Sequence, residues 1–210
     1  MPDKQQTTEQ RILDAAMQIF SAVGFSGARV DEIAKRAGVN KAMIYYHVGD
    51  KEALYEQVLH NAIGHIADVI FQSVEAAQTP EEKLSAYIRS FAGFVENNPL
   101  MPPIMLREVA SGGTNFPQLV ANDFARLLGI IGAILEEGRS KGIFIEATPF
   151  IIHMMVVGAT VLYRSSAPIR AKYAQHLESV GILDLNVSEK IVGEISTLIL
   201  KAVKKTPENN

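Results

Sequence analysis

The chain has 210 residues, 48% hydrophobic and 20% charged, enough to bury one sizeable core beside a small attached domain of about 50 residues. No cysteine excludes disulfides and thiolate metal sites, and the polar start MPDKQQTTEQ has no apolar signal segment, so a cytoplasmic protein is expected. A formal charge of −3 excludes a generally basic nucleic-acid coat, yet residues 1–51 hold seven Lys/Arg against six Asp/Glu and residues 52–210 thirteen against seventeen, which permits DNA contact at the N-terminal end.

After a frayed tail over residues 1–6, Thr7 and Gln10 form the signature of a capping box, and Ile12, Leu13, Ala16, Ile19 and Phe20 give a first helix its apolar stripe before Gly24 ends it. Val30, Ile33, Ala34 and Ala37 share one face of a second helix. Gly38 closes that helix, because glycine takes a positive φ without a Cβ penalty, and Val39 plugs the turn. Asn40 is the N-cap of a third helix, Lys41 to His47, with Ile44 and Val48 inward. Its remaining surface carries Lys41, Ala42, Tyr45, Tyr46 and His47, a basic and aromatic set suited to a groove lined with phosphates and base edges. Gly49 and Asp50 close this helix and cap the next.

A fourth helix is expected from Asp50 to about Gln78, with Leu54, Val58, Ala62, Ile66 and Ile70 inward. Thr79-Pro80 stops it and starts a fifth, which ends at Asn97-Asn98-Pro99. A sixth runs from Pro102-Pro103 to about Ala110, Ser111-Gly112-Gly113 forms a loop, and a seventh spans Phe116 to Ser140. The segment Pro149 to Tyr163 is nearly all apolar, but its 15 residues are too few for a bilayer and include His153, so it reads as a buried eighth helix and no membrane is expected. A ninth spans 188–204, with Ile191, Ile195, Leu198 and Ala202 on one stripe. The fold class expected is all-α with about nine helices.

Catalytic patterns are absent: no HExxH, no GxSxG, no Gly-rich phosphate loop and no EF-hand loop. Glu81-Glu82 and Glu136-Glu137 read as solvated faces. His60 and His65, five apart, suit no shared ligand on one helix face, so neither metal nor cofactor is expected. Arg107 beside Glu108 reads as an internal pair, with an anionic ligand for Arg107 as the alternative. The sequon Asn186-Val187-Ser188 has no expected role. Tyr87, Phe91, Phe94, Met101, Met105, Phe116, Phe124, His153, Met154 and Tyr163 are each explained by a core. Together, flexible methionines, rings and a few polar tips are the material of a small-molecule cavity for a hydrophobic or aromatic effector.

The run RILDAAMQIFSAVGFSGARVDEIAKRAGVNKAMIYYHVGDKEAL, from Arg11 to Leu54, resembles the N-terminal domain of the tetracycline-repressor (TetR) family of transcriptional regulators. Departures stand at Arg29, where that family often has threonine or serine, Asn40 (serine), Ala42 (glycine) and Val48 (phenylalanine). The resemblance implies a helix-turn-helix DNA-binding domain over 1–50 and a ligand-binding and dimerisation domain over 51–205, its last two long helices pairing across a homodimer. It implies a ligand-responsive repressor that meets successive major grooves of a pseudo-palindromic operator about 34–36 Å apart. Lys41, Ala42 and Met43 would then face base edges with Tyr46 and His47 nearby and Asn40 at the cap, while Arg29, Tyr45 and Lys51 would hold phosphates. Two other classes are weighed against it: a cytoplasmic helical enzyme, and a DNA-binding protein that answers to no effector.

Overall fold

The computed structural model describes residues 6–181 and 190–206. The sequon, residues 1–5 of the tail and the first two residues of the expected ninth helix lie outside the described residues. What is described is helical throughout, apart from one isolated antiparallel bridge between Phe144 and Lys204. Contacts divide the chain into two compact units: Met1–His65 with Leu100–Asp123, and Ile66–Pro99 with Phe124–Asn210.

The first unit begins with α1, Thr8–Gly27. Thr7 caps it, its hydroxyl accepting from the Gln10 amide at 3.1 Å. The return half of the expected capping box is replaced, because the Gln10 amide group donates to Asp14 at 2.8 Å. Gly24 breaks the helix at φ 73° and ψ 177°, where the sequence places its end. Next come α2, Val30–Ala37, and α3, Lys41–His47. Ile12, Ala16 and Phe20 of α1 meet Ile33, Ala34 and Ile44 in a small core, all at most 4% exposed. By the area rule each such large aliphatic side chain contributes about 1.5–3 kcal/mol, so three short helices hold together only because they share one interior.

The part of the helix α4, Lys51–Glu75, that runs to His65, and the helix α6, Met101–Ala110, complete this unit's framework. Arg107 and Glu108 do not pair with each other. Neighbours on a helix point about 100° apart, and here Arg107 donates to the Ser21 and Ala22 carbonyls near the break in α1. Glu108, 4% exposed, accepts from the Tyr55 hydroxyl at 2.7 Å. Burial first, then this carboxylate, push the Tyr55 pKa well above its ordinary value. The Tyr55 ring stands 4.8 Å from Phe20 and 5.0 Å from Phe25. The first unit thus gathers α6 onto α1 and α4 through polar contacts that no sequence period announces.

The second unit holds α5, Pro80–Asn97. Thr79 and Glu82 form a full capping box at its start, so Glu82 is a cap and not only a solvated face. The helix α7, Gln118–Ser140, is by length and composition apolar enough to cross a membrane. Its charges are instead used within the chain: Asp123 is buried 2.6 Å from His60 in the first unit's part, and Glu137 bridges Lys83 at 2.7 Å and Lys141 at 2.6 Å in the second's. Those two lysines hold the Glu137 carboxyl below its ordinary pKa. After the turn at Gly142, α8 runs Pro149–Ser165 and contains one wider π turn at Gly158–Leu162.

Two short helices not expected from the sequence follow, α9, Ala167–Lys172, and α10, Ala174–Ser179. They carry no continuous apolar period, which is why pattern reading passes over them. The last described helix is α11, Ile191–Val203. Its core face is Ile195, Ile199 and Val203, packed toward α5, whereas Leu198 is 64% exposed. The stripe read from the sequence therefore mixes two faces: residues three and four apart are neighbours, but the core follows the four-residue row. On α8 the outward residues are Phe150, Ile151, Met154, Met155 and Leu162, all exposed.

Candidate nucleic-acid interface

The turn between α2 and α3 is built by three local devices. Gly38 sits at φ 67° and ψ 36°, the left-handed region, and its amide closes onto Ala34 and Lys35 carbonyls. A non-glycine residue there is strained by roughly 1–2 kcal/mol. Asn40 caps α3, its side-chain oxygen accepting from the Met43 amide at 2.9 Å. Arg11 donates to the Ala37 carbonyl at 3.2 Å and so ties α1 to the turn. Ile44 is fully buried and Val48 nearly so, which fixes the rotation of α3 and turns its other faces outward.

Those faces hold the expected set. Lys41, Ala42, Tyr45 and Tyr46 are exposed, Met43 and His47 half-buried. Tyr46, 85% exposed, stands edge-on to His47 at 5.1 Å, a large ring kept in water with no folding reason for it to be there. Arg29 is exposed at the N-cap of α2 and makes no side-chain cap bond, so its guanidinium is not used to end the helix. Lys51 opens α4, with its ammonium 4.5 Å from the centre of the Phe25 ring. Asp50 caps that helix by accepting from the Ala53 amide at 2.8 Å. One charged partner was not foreseen: Asp31, on α2, lies 3.1 Å from the Lys41 ammonium and raises its pKa through that hydrogen bond. Ten residues separate the two, so no helical spacing signals it.

The ten residues proposed for an effector do not all meet. Met101, Met105 and Phe116 belong to the first unit, the other seven to the second. Among those seven, four converge. His153, 1% exposed, shares a hydrogen bond of 2.7 Å with the Tyr87 hydroxyl through its Nδ1. Phe124, Phe91 and Tyr87 stand edge-on around its ring at 5.1, 5.7 and 6.1 Å. Burial pushes the His153 pKa down to about 4, so it is neutral at pH 7. Met154 is exposed, Phe94 half-buried, and Tyr163 is stacked under the Arg170 guanidinium at 3.8 Å.

Open grooves lie elsewhere in both units. In the second unit about 560 Å³ is bounded by Phe71, Val74, Lys83, Arg126, Ile130 and Glu137, among others. In the first unit about 530 Å³ is bounded by Phe25, Glu52, Tyr55, Glu56 and the stretch 114–117, which includes Phe116. Among the described residues no group of three His, Asp or Glu is disposed to hold a metal ion.

Known proteins share the sequence pattern of the N-terminal helices and the fold. The family model described as bacterial regulatory proteins, tetR family, matches residues 12–58. The HTH-type transcriptional repressor NicS of Pseudomonas putida is 24% identical over 201 residues, 94% of this chain and 93% of its own length. A crystal structure described as a tetR family transcription regulator from Shewanella sp. PV-4 superposes with a TM-score of 0.71 at 21% identity, covering 96% of this chain and all of that one. The transcriptional regulator FadR from Bacillus subtilis, solved in complex with stearoyl-CoA, gives 0.67 at 19% identity, over 91% of this chain and 95% of that one.

Proposed function

We propose, for a chain that belongs to the TetR family of bacterial transcriptional regulators, the role of a homodimeric repressor that reads a pseudo-palindromic operator with α3 and leaves it when a small effector binds. The observation that carries the DNA-reading half is the outward face of α3: an ammonium, a small residue and two exposed tyrosines on a helix whose rotation is locked by Ile44, Val48 and the Asn40 cap. In this reading residues 1–50 are the DNA-binding domain and residues 51–205 bind effector and partner. Lys41, Ala42 and Met43 read base edges, with Tyr46 and His47 beside them; Arg29, Tyr45 and Lys51 hold phosphates.

The effector half rests on the ring box around His153 and on the structural neighbour FadR, solved in complex with stearoyl-CoA, a ligand with a long acyl chain. The ligand class proposed is a hydrophobic or aromatic compound. Release follows if that ligand binds the DNA-free arrangement better than the DNA-bound one, and α4, which belongs to both units, carries the change. Dimerisation is proposed through the exposed apolar residues of α8 and Leu198 of α11, which in a lone chain would stay in water. A regulator of this kind acts in the cytoplasm and performs no catalysis.

The test is selection of bound duplexes from a random library by the full chain, then footprinting. Recovery of a two-fold symmetric sequence is expected, and Lys41→Ala should change which bases are preferred. Recovery of no preferred sequence ends the operator reading.

A further inference from the structure

The ion pair between Lys41 and Asp31 gives the candidate interface a part that the list of outward residues omits. The Lys41 ammonium is 3.1 Å from Asp31 Oδ1, with the side chains 48% and 72% exposed. Both ends stay in water, so the pair adds little to the stability of the fold. It does decide what the lysine meets first. An unpaired lysine on a DNA-facing helix accepts any phosphate within reach, and phosphates are present at every sequence. Here each phosphate must compete with a carboxylate already in place, and a displaced carboxylate is left facing the negative backbone. A neutral base edge with two acceptors in the major groove is not repelled by the carboxylate, can share the three donors of the ammonium with it, and is present only at the right sequence.

We propose that Asp31 is a specificity-determining residue: it holds Lys41 away from phosphates and yields it only to a matching base edge. The inference rests on the DNA-reading role assigned to α3. Its physical form is discrimination by a penalty on the wrong partner as well as a reward for the right one. Asp31 is suited to the task by position, since it sits on α2 while the lysine sits on α3, and the Gly38 turn and Ile33, Ala34 and Ile44 fix the two helices against each other. Among the described residues Arg29 and Lys51 pair with no carboxylate, so the restraint falls on Lys41 among these three cations.

The experiment compares full-length wild type, Asp31→Asn, Lys41→Ala and the double variant on two probes: the duplex the wild type selects from a random library, and a scrambled duplex of equal length and composition. Affinity is measured across a range of salt. Asp31→Asn should bind the scrambled duplex more tightly, raise the salt slope on it by about 0.9, one more phosphate contact, and cut the ratio of selected to scrambled affinity by about five-fold or more. In the Lys41→Ala background the same change should move the ratio much less. An unchanged or larger ratio in Asp31→Asn, or the same shift with and without Lys41, overturns the proposal. Thermal unfolding of each variant separates this from misfolding: the helical transition should be retained, as an exposed pair requires. A wild type that selects no duplex overturns the DNA-reading role itself, and with it this inference. A wild type that selects one, with Asp31→Asn discriminating as well, overturns the inference alone.

Discussion

Lys51 illustrates how one side chain divides its contacts. Its ammonium rests over the Phe25 ring at 4.5 Å, an attraction of about 0.5–1 kcal/mol at a site open to water. A phosphate offers more, and the first turn of α4 also presents outward amides. Lys51→Ala should lower the slope of log K against log[salt] on the selected duplex by about 0.9. An unaltered slope would assign this lysine to Phe25 alone. His153 makes a second prediction at this scale. Its folded pKa of about 4 lies below the ordinary 6.5, so the unfolded chain binds more protons between those values. Stability is therefore retained above pH 6.5 and lost as pH falls toward 4, by about 2 kcal/mol at pH 5. Denaturant unfolding of wild type against His153→Gln should show that slope flatten in the variant. Equal pH dependence in both would mean His153 is solvated.

Among the elements, α11 most clearly divides a core face from an exposed one. Ile195 is 9% exposed and Leu198 is 64% exposed, though the two are three residues apart. Burying a carboxylate at Ile195 leaves an unpaired charge in the core, so Ile195→Glu should unfold the chain or lower its stability by several kcal/mol. Leu198→Glu places the charge outside. It should leave the helical signal and the thermal transition near wild type while shifting the sedimenting species from dimer to monomer, with operator binding lost. A folded dimer in Leu198→Glu would move the interface off α11. The same contrast of faces explains α3, where Ile44 goes inward and Tyr46 stays in water.

Across the whole molecule, the effector proposal and the DNA proposal call on different residues, so they are separable. Phe91 stands edge-on to His153 in the second unit and Met105 belongs to α6 in the first. Phe91→Ala removes a wall of the ring box, at a cost of about 3–5 kcal/mol for a fully buried ring. Met105→Trp adds bulk on α6. With a compound found by screening for operator release, Phe91→Ala should shift its half-effective concentration at least ten-fold with operator affinity near that of the wild type, and Met105→Trp, outside the ring box, should leave it near the wild-type value. A response preserved in both would place the effector elsewhere, and the 560 Å³ groove between Phe71 and Glu137 would be the next site to probe.

Local chemistry was readable from the order of residues because each device acts within a few positions. A glycine at a positive φ, an Asn cap three residues from its amide, a proline at a first turn and a 3.6-residue apolar period all appear where the sequence puts them. The boundaries of α5, α6 and α7 fall within about two residues of expectation for the same reason. The Thr79–Glu82 capping box was also there to be read, as Thr-x-x-Glu. Contacts between residues far apart in the chain were settled only by the tertiary structure. Asp31 meets Lys41, Arg107 turns from Glu108 to the carbonyls of α1, Glu108 takes the Tyr55 hydroxyl, and His60 meets Asp123 across 63 positions. Periodicity states that a residue faces inward or outward but never which partner waits there. The partner depends on how whole helices cross, and that is set by the sum of the packed side chains.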